Sequence, residues 1–316
     1  MGKPRPWVEA FAPATVSNLG PGFDCLGLAL TKLGDRVKAR RSDTPGVVLT
    51  RIEGDRGRLS KAANENTACV AAARLLRDHA PSAGVELELY KGLPLGSGLG
   101  SSGASAAAAA VAVDAALDLG LPKTVLVEAA REGEAVACGS PHPDNVAPAI
   151  VGGIVLISSL DPLRIVELPV PESLWLAIYT PGCEVRTADA RAVLPEMVRL
   201  QDAVGQAARL ALLVHALHVD DLALLGEAIV DPIVEPARAD LVPGFREAKA
   251  ACSEAGALAC SLSGSGPTTF ALTNEPSRAD ALLEILEESF TLAGVPGSGF
   301  TDRIGEGARV LSDRLH

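Results

Sequence analysis

Residues 96–103 are the part of this chain best suited to bind an anion. Seven of these eight residues are Gly or Ser, and an alanine-rich stretch follows them. Glycine lets successive backbone N–H groups turn toward a ligand, and a helix that begins near Ser101 directs its positive end to the same place. Such a loop binds phosphate without lysine. The Ser101 and Ser102 hydroxyls stand where they can cap the helix or contact phosphate and metal.

Two other phosphate motifs and a plain tight turn compete with this interpretation. GLGSSG at 98–103 matches the GxGxxG pattern of dinucleotide-binding folds, in which the loop directly follows a strand and a second strand comes within about 30 residues. Here Pro94 and further residues separate the loop from the strand-like VELELY at 85–90, and residues 104–137 have a helical pattern. A P-loop ends in Gly-Lys followed by Ser or Thr, which the chain lacks. The dense Gly and Ser content favours a phosphate loop of another kind.

The composition limits the class of partner. The chain has 316 residues, 48% of them hydrophobic and 3% aromatic, with a net charge of −11. This length favours two domains. With few aromatic rings and no Lys or Arg cluster, we expect no nucleic acid partner. No stretch resembles a signal peptide or a membrane span, and the six cysteines are scattered without a CxxC pair. We therefore expect a cytoplasmic protein with free thiols and no membrane partner.

Hydrophobic periodicity predicts mixed helices and strands, in an order that favours the α+β class. Strands are expected at 37–41, 47–54, 85–90 and 174–180, and on both sides of a second glycine loop within 258–273. Helices are expected after an Asn66 cap, from the phosphate loop to about Leu119, from 123 to Gly139, from 187 to about 230, at 245–255 and at 279–290. The Pro-rich, polar stretch 158–172 is the expected domain boundary.

Three stretches resemble motifs of the GHMP kinases, in the order which that family has them. The loop with Pro94 ahead of it resembles the family's phosphate-binding motif. APATVSNLGPGFDCLGLAL at 12–30 resembles its N-terminal substrate motif, and SLSGSGPTTFAL at 261–272 its C-terminal glycine motif. The resemblance implies two α+β domains with the active site in the cleft between them. These are an N-terminal ATP-binding domain at 1–165 and a ferredoxin-like C-terminal domain at 166–316.

Within the family, SNLGPGFD at 17–24 and GSPHPDNVAPA at 139–149 resemble the members that phosphorylate homoserine. The implied reaction transfers the γ-phosphate of ATP, with Mg²⁺, to the side-chain hydroxyl of L-homoserine for threonine synthesis. A homodimer is also expected for this family. The alternatives are a kinase for another small alcohol such as mevalonate, a related decarboxylase, a family member that binds ligands as a regulator without catalysis, and a Rossmann oxidoreductase.

An amino acid substrate carries an ammonium and a carboxylate, so its site needs groups of both charges. An Arg fork matches a carboxylate best. Arg191 and Arg238 resemble the family's substrate arginines, with Arg186 as a competing candidate, and Asp24 resembles its acidic partner. The implied substrate-binding set is Asn18, Asp24, His142, Thr187, Arg191, Arg238 and Gly264.

The resemblance also assigns the nucleotide and catalytic residues. Glu134 resembles the magnesium-associated carboxylate, approached by the hydroxyl of Ser101 or Ser102. The implied catalytic set is Glu134, Ser102 and Asn145. Asp144 is a tempting general base, but the resemblance puts Asn at the base position, which favours positioning and electrostatic stabilisation over a dedicated Asp. The implied ATP-binding set is Asn66, Pro94, Leu95, Gly96, Ser97, Gly98, Leu99, Gly100, Ser101, Ser102, Gly103 and Ala104.

Overall fold

The fold is that of a computed structural model, which describes residues 5–138 and 142–311. The strands are β1 (Val8–Ser17), β2 (Leu26–Ser42), β3 (Gly46–Glu53), β4 (Gly84–Tyr90), β5 (Ile154–Leu160), β6 (Leu163–Leu168), β7 (Trp175–Thr180), β8 (Ala259–Leu262), β9 (Thr269–Thr273), β10 (Ser298–Asp302) and β11 (Arg309–Leu311). The helices are α1 (Thr67–His79), α2 (Ser101–Leu117), α3 (Lys123–Cys138), α4 (Val146–Val151), α5 (Thr187–Ala192), α6 (Leu200–Val219), α7 (Leu222–Ala228), α8 (Val234–Arg238), α9 (Phe245–Glu254) and α10 (Pro276–Leu292).

In the part of the chain that the structure describes, the first sheet has seven strands and is built around the long strand β2. Its main path runs β11-β1-β2-β4-β3, with β5 and β6 joined to the start of β2. The register between β1 and β2 shifts between Pro13 and Thr15, and the two ends of β2 have different second partners. Its first residues pair with β5 and its last seven with β4. One strand therefore connects the two arms of the sheet.

Helix α2 lies at the centre of this half of the molecule. Twelve of its 17 residues are buried, and most of them are alanines. It packs against α1, α3, β1 and β2, so all its faces are covered. Small side chains allow this close approach on every side, and an apolar surface all round is typical of a buried helix. The fixed position of α2 also fixes the direction in which its N-terminus points.

Within residues 5–138 and 142–311, the second sheet has four antiparallel strands in the order β10-β7-β9-β8. Along the chain its elements follow as strand, helices, two strands, helix and strand, which is the ferredoxin-like arrangement. The expected ferredoxin-like second half and the α+β class are thus confirmed. Helices α9 and α10 cover the sheet, and the rings of Tyr179 and Phe290 stack with centroids 5.4 Å apart in its core.

Several local predictions are confirmed. Asn66 caps α1, because its side-chain oxygen accepts a hydrogen bond from the N–H of Ala68 at 3.1 Å. The expected strands at 37–41, 47–54, 85–90 and 174–180 correspond to the last part of β2 and to β3, β4 and β7. The predicted end of a helix at Gly139 lies outside the described residues.

Other local predictions are wrong. Neither serine caps α2: its N-cap is Gly100, with φ of 66°, and the Ser101 hydroxyl donates to the carbonyl of Leu93 at 3.3 Å. By contrast, the helices expected from 187 to about 230 are confirmed as α5, α6 and α7, with a break at 193–199, where Pro195 lacks the N–H a helix needs. Strands β10 and β11 were not predicted, because they are short and have little alternation.

The stretch predicted as the domain boundary, 158–172, contains the end of β5 and all of β6, a hairpin that belongs to the first sheet. After the second sheet is complete, the chain returns to the first one. There β11 pairs with β1, and Leu30 forms an isolated bridge with Ile304. The division at residues 165 and 166 stays a prediction.

Candidate active site

A cavity of about 460 Å³ is lined by residues from both halves of the chain. All the expected substrate-binding residues line it: Asn18, Asp24, His142, Thr187, Arg191, Arg238 and Gly264. The expected catalytic residues Ser102, Glu134 and Asn145 line it as well. Of the expected ATP-binding residues it includes Asn66, Leu95, Gly96, Ser97, Gly98, Gly100, Ser101 and Ser102, but not Pro94, Leu99, Gly103 or Ala104. The structure therefore brings nearly all of these residues around one space.

The phosphate loop requires glycine for two physical reasons. Gly96, Gly98 and Gly100 have φ values of 66°, 83° and 66°, a left-handed region in which glycine pays no steric penalty. The loop also contacts its neighbours closely. A Cβ on Gly100 would lie 2.1 Å from Oγ1 of Thr15, and one on Gly98 would lie 2.5 Å from the carbonyl oxygen of Ser263. Larger residues at these positions would displace the loop.

The second glycine loop, 263–268, holds the phosphate loop in place. The Ser263 hydroxyl donates to the carbonyl of Gly98 at 2.7 Å, and the N–H of Thr268 donates to the carbonyl of Ser97 at 3.1 Å. On the other side the N–H of Thr15 donates to the carbonyl of Leu99 at 3.1 Å. Three successive carbonyls of the loop, those of Ser97, Gly98 and Leu99, are therefore bonded to neighbouring segments rather than turned into the cavity.

A buried ion pair lies behind the loop. The side chains of Lys91 and Asp35 are 1% and 0% exposed and contact each other directly. The ammonium of Lys91 also donates to the carbonyl of Ser101 at 2.7 Å and to the Ser105 hydroxyl at 2.9 Å. The Asp35 carboxylate accepts from that hydroxyl at 2.6 Å and from the N–H of Gly92 at 2.9 Å. These bonds tie the entrance of the loop to the first turns of α2.

At the other end of the cavity, Asp24 and Arg191 form a bidentate ion pair. The two Asp24 oxygens accept from Nη1 and Nη2 of Arg191 at 3.1 and 2.8 Å. Nδ1 of His142 lies 3.4 Å from the same carboxylate. Burial lowers the pKa of His142, a larger effect than the rise caused by Asp24, so the ring is neutral at pH 7. Asp24 has φ of 57°, backbone strain of a kind that is concentrated at functional sites.

Arg238 is 3% exposed and lies on the same side of the cavity as Asp24 and Arg191. Its Nη1 donates to the carbonyl of Gly264 at 2.8 Å, and its Nε donates to the carbonyl of Ala190 at 3.1 Å. Nδ2 of Asn18 donates to the same Gly264 carbonyl at 3.1 Å. Burial, and the positive charge of Arg191, lower the pKa of Arg238, but a guanidinium stays charged in proteins. Two arginines and one carboxylate thus meet at one point.

Asn145 lies between the two ends and is oriented by β1. Its Oδ1 accepts from the Thr15 hydroxyl at 2.8 Å, and its Nδ2 donates to the Ser17 hydroxyl at 3.3 Å. The neighbouring Asp144 is buried and lines the same cavity. Burial, and the negative charge of Asp24, raise the pKa of Asp144 to about 6. An amide and a weakly acidic carboxyl therefore face the space between the loop and the charged pocket.

Comparison with known proteins decides the family. Residues 66–153 match the GHMP kinases N terminal domain, and residues 213–292 match the GHMP kinases C terminal domain. The chain is 43% identical to the homoserine kinase of Chlorobium phaeobacteroides strain BS1 over 294 residues, 90% of this chain and 92% of that protein. It is 40% identical to the homoserine kinase of Chlorobaculum tepidum over 319 residues, 96% of this chain and 98% of that protein. The chain belongs to the homoserine kinase family.

Solved structures agree with this membership of the homoserine kinase family. The crystal structure of homoserine kinase from Cytophaga hutchinsonii superposes with a TM-score of 0.93 at 42% identity, covering 98% of this chain and 99% of that one. Mevalonate kinase from L. major, solved in complex with R-mevalonate, gives a TM-score of 0.71 at 18% identity over 96% of this chain and 99% of that one. The second likeness shows only that the fold is shared.

Glu134 and Ser102 are donors of the kind that Mg²⁺ accepts. Glu134 is 5% exposed, and its carboxylate and the Ser102 hydroxyl come from α3 and α2 to the same cavity. Within residues 5–138 and 142–311, no group of three His, Cys, Asp or Glu forms a metal cluster. Mg²⁺ typically takes one or two carboxylates together with phosphate oxygens and water. The residues present therefore fit a magnesium ion that arrives with ATP.

Sequence reasoning missed several residues that line the cavity. Arg58 comes from the loop between β3 and α1, and Glu184 from the loop between β7 and α5. Neither lies in a motif, so only the fold reveals their position. Lys91 had a usable signal, because it is a cation between the strand VELELY and the glycine loop.

Among the described residues, no helix combines the length and apolar character needed to cross a membrane.

Proposed function

We propose that the chain transfers the γ-phosphate of ATP to the side-chain hydroxyl of L-homoserine, giving O-phospho-L-homoserine and ADP. The observation that supports this most directly is the joining of two sites in one cavity. A glycine loop at the N-terminus of α2 offers N–H groups to phosphate, and a pocket with two arginines and an aspartate lies at the other end. We infer that an amino acid bound there by its ammonium and carboxylate directs its side chain toward the loop.

The charges of the pocket match those of a free amino acid. We assign Arg191 and Arg238 to the substrate carboxylate and Asp24 to the ammonium. Asp24 occupies the fork of Arg191, so we infer that the substrate carboxylate takes its place and that Asp24 turns to the ammonium. Mevalonate has a carboxylate but no ammonium, so its binding would leave Asp24 without a cationic ligand group. The pocket therefore favours an amino acid over an isoprenoid acid.

The transfer step depends on alignment and charge neutralisation. We assign Asn145 to orienting the substrate hydroxyl, since its amide is fixed by two hydroxyls of β1. Glu134 and Ser102 are assigned to holding Mg²⁺, which when bound neutralises charge on the transferred phosphate. The N–H groups of the loop and the N-terminus of α2 hold the phosphates in line. The loose transition state of phosphoryl transfer makes positioning sufficient, so we assign no Asp as a dedicated base.

Three further properties belong to this proposal. We expect the domain limits to be 1–165 and 166–316. Strand β11 then belongs to the second domain by sequence but pairs with β1 of the first sheet. We expect a homodimer, and the apolar residues Val193, Met197, Leu200 and Val204, which are 40–88% exposed, are the surface we assign to it. We place the enzyme in the cytoplasm, where ATP is made available and where its free thiols stay reduced.

The test is ADP release coupled to a spectrophotometric readout, with Mg²⁺ and ATP and with L-homoserine, mevalonate, galactose or no acceptor. Turnover with homoserine alone supports the proposal. Turnover with mevalonate instead would contradict the charge assignment, and bound ATP without any acceptor-dependent turnover would favour a regulator.

Two arginine variants make this test specific to the pocket. Arg191→Met should raise the KM for homoserine about 100-fold, since two charge-assisted hydrogen bonds are lost. Arg186→Met is the matched control, because Arg186 lines the cavity but its side chain is 73% exposed and forms an ion pair with Asp189. We expect its KM for homoserine to stay close to the wild-type value.

A further inference from the structure

Arg58 and Glu184 form an ion pair across the mouth of the cavity. They are 126 positions apart, and Nη2 of Arg58 lies 2.8 Å from Oε1 of Glu184. Arg58 belongs to the loop that precedes α1, whereas Glu184 belongs to the loop that precedes α5. Both line the same cavity as the phosphate loop. This pair is therefore a direct contact between the two sides of the cleft at its nucleotide end.

The Glu184 carboxylate rests on the phosphate loop. A Cβ on Gly96 would lie 2.7 Å from Cγ and 2.8 Å from Oε1 of Glu184. Hydrogen bonding to Arg58 lowers the pKa of Glu184, so this group is an anion at neutral pH. It lies beside the loop to which the proposed function assigns the phosphates. The carboxylate thus occupies space next to the expected phosphate position and repels a phosphate that approaches.

Most cations of the cavity have other tasks. The Lys and Arg side chains that line it in the described part of the chain are Arg58, Lys91, Arg186, Arg191 and Arg238. Lys91 is enclosed with Asp35, and Arg191 and Arg238 lie at the amino acid end. Arg58 differs because its side chain is 52% exposed and is held by a carboxylate that lies on the phosphate loop itself.

We propose that Arg58 binds the nucleotide phosphates. Before ATP binds, Arg58 is paired with Glu184, and on binding the phosphates replace the Glu184 carboxylate as its partner. The inference rests on the proposed function, because it takes the phosphate loop as the ATP site. Breaking the Arg58–Glu184 pair costs little free energy, since an exposed ion pair is screened by water and contributes little stability. In return, a guanidinium forms strong paired hydrogen bonds with phosphate. In a chain with a net charge of −11, such a local cation has particular value.

The inference is tested by calorimetric binding of ATP, ADP and adenosine to the full chain without acceptor. Arg58→Ala should weaken ATP and ADP binding about tenfold, the effect of one lost charge-assisted hydrogen bond, and leave adenosine binding within about twofold. Glu184→Gln should tighten ATP binding about threefold, because the competing carboxylate charge is gone. Arg58→Lys should recover part of the loss, since the charge remains but the planar fork is absent.

Arg56→Asn is the matched control. Arg56 is an exposed cation of the same loop that does not line the cavity, and Asn tolerates its φ of 55°. We expect this variant to bind ATP as the wild type does. Equal weakening by Arg56→Asn and Arg58→Ala would overturn the inference in favour of general electrostatics. Equal weakening of adenosine and ATP by Arg58→Ala would overturn it in favour of contact with the base.

The wild type separates this inference from the proposed function. If the wild type binds ATP and phosphorylates homoserine while Arg58→Ala binds ATP normally, the role of Arg58 is overturned and the proposed function stands. If the wild type binds no ATP, both are overturned. Circular dichroism of each variant verifies that it is folded, which the exposed position of residue 58 leads us to expect.

Discussion

Replacing Lys91 by Met tests how the phosphate loop is held. The variant keeps a chain of similar length but removes the ammonium that faces Asp35, whose side chain is fully buried. An unpaired carboxylate in such a place costs about 3–5 kcal/mol of the free energy of unfolding. This is a large part of the roughly 5–15 kcal/mol of a typical protein. The loss should be severe because the three hydrogen bonds from Lys91 to Asp35, Ser101 and Ser105 disappear together.

A double-mutant cycle gives the magnitude of the interaction. Asp35→Asn keeps an oxygen for the N–H of Gly92 but removes the charge, so the double variant should recover about 2 kcal/mol or more of the loss of Lys91→Met. Urea unfolding followed by circular dichroism measures all four proteins. Arg199→Met is the control, since its pair with Asp202 is exposed and should change stability by less than about 1 kcal/mol. A loss below 1 kcal/mol for Lys91→Met, or no coupling with Asp35, would refute this account of the pair.

Three further substitutions address the cavity. Asp24→Asn should raise the KM for homoserine about 100-fold and leave the KM for ATP unchanged in steady-state assays, because a charge-assisted contact is lost at the amino acid end only; equal changes in both would contradict the assignment. Gly100→Ala should lower kcat about 100-fold, since its Cβ would lie 2.1 Å from the Thr15 hydroxyl that orients Asn145, and an unchanged kcat would disprove that role. Asp144→Asn should keep kcat within about tenfold of the wild type, as expected for a residue that is not the base; a loss of about 1,000-fold would show that it is. The pKa of Asp144 is about 6 when folded against 3.8 when unfolded, so its contribution to stability is greatest below pH 4 and falls as the pH rises to 6. Urea unfolding should therefore show Asp144→Asn gaining about 2 kcal/mol over the wild type between pH 4 and pH 7, and a constant difference would contradict this effect.

The phosphate loop could be predicted from the sequence because local physics determines it. Gly96, Gly98 and Gly100 have positive φ, and an adjacent helix begins where the alanine run suggests. Periodicity likewise identified most helices and strands. The short strands β10 and β11 escaped because their pairing depends on partners far away in the chain, β7 and β1. A strand of three residues such as β11 carries too little pattern to be recognised alone.

The candidate site could be predicted only as far as its motifs extend. Asp24 and Arg191 lie 167 positions apart, and the resemblance to the GHMP kinases named both, but their mutual ion pair appears only in the fold. Lys91 and Asp35 were not predicted as a pair: the position of Lys91 before the glycine loop is a local signal, but nothing local marks Asp35 as its partner until the sheet buries both. Which charged residues are buried together depends on the topology of the fold, and a local sequence pattern does not reveal that topology.

The most direct test of the central claim is the ³¹P NMR spectrum of the reaction of this protein with ATP, Mg²⁺ and L-homoserine. Release of ADP alone does not show where the phosphate goes, whereas the spectrum does. Transfer to the side-chain hydroxyl predicts a new phosphate monoester resonance split by the neighbouring methylene protons, growing as the γ-phosphate signal of ATP declines. Growth of inorganic phosphate alone, with no ester, would contradict the claim that this cavity aligns homoserine with ATP.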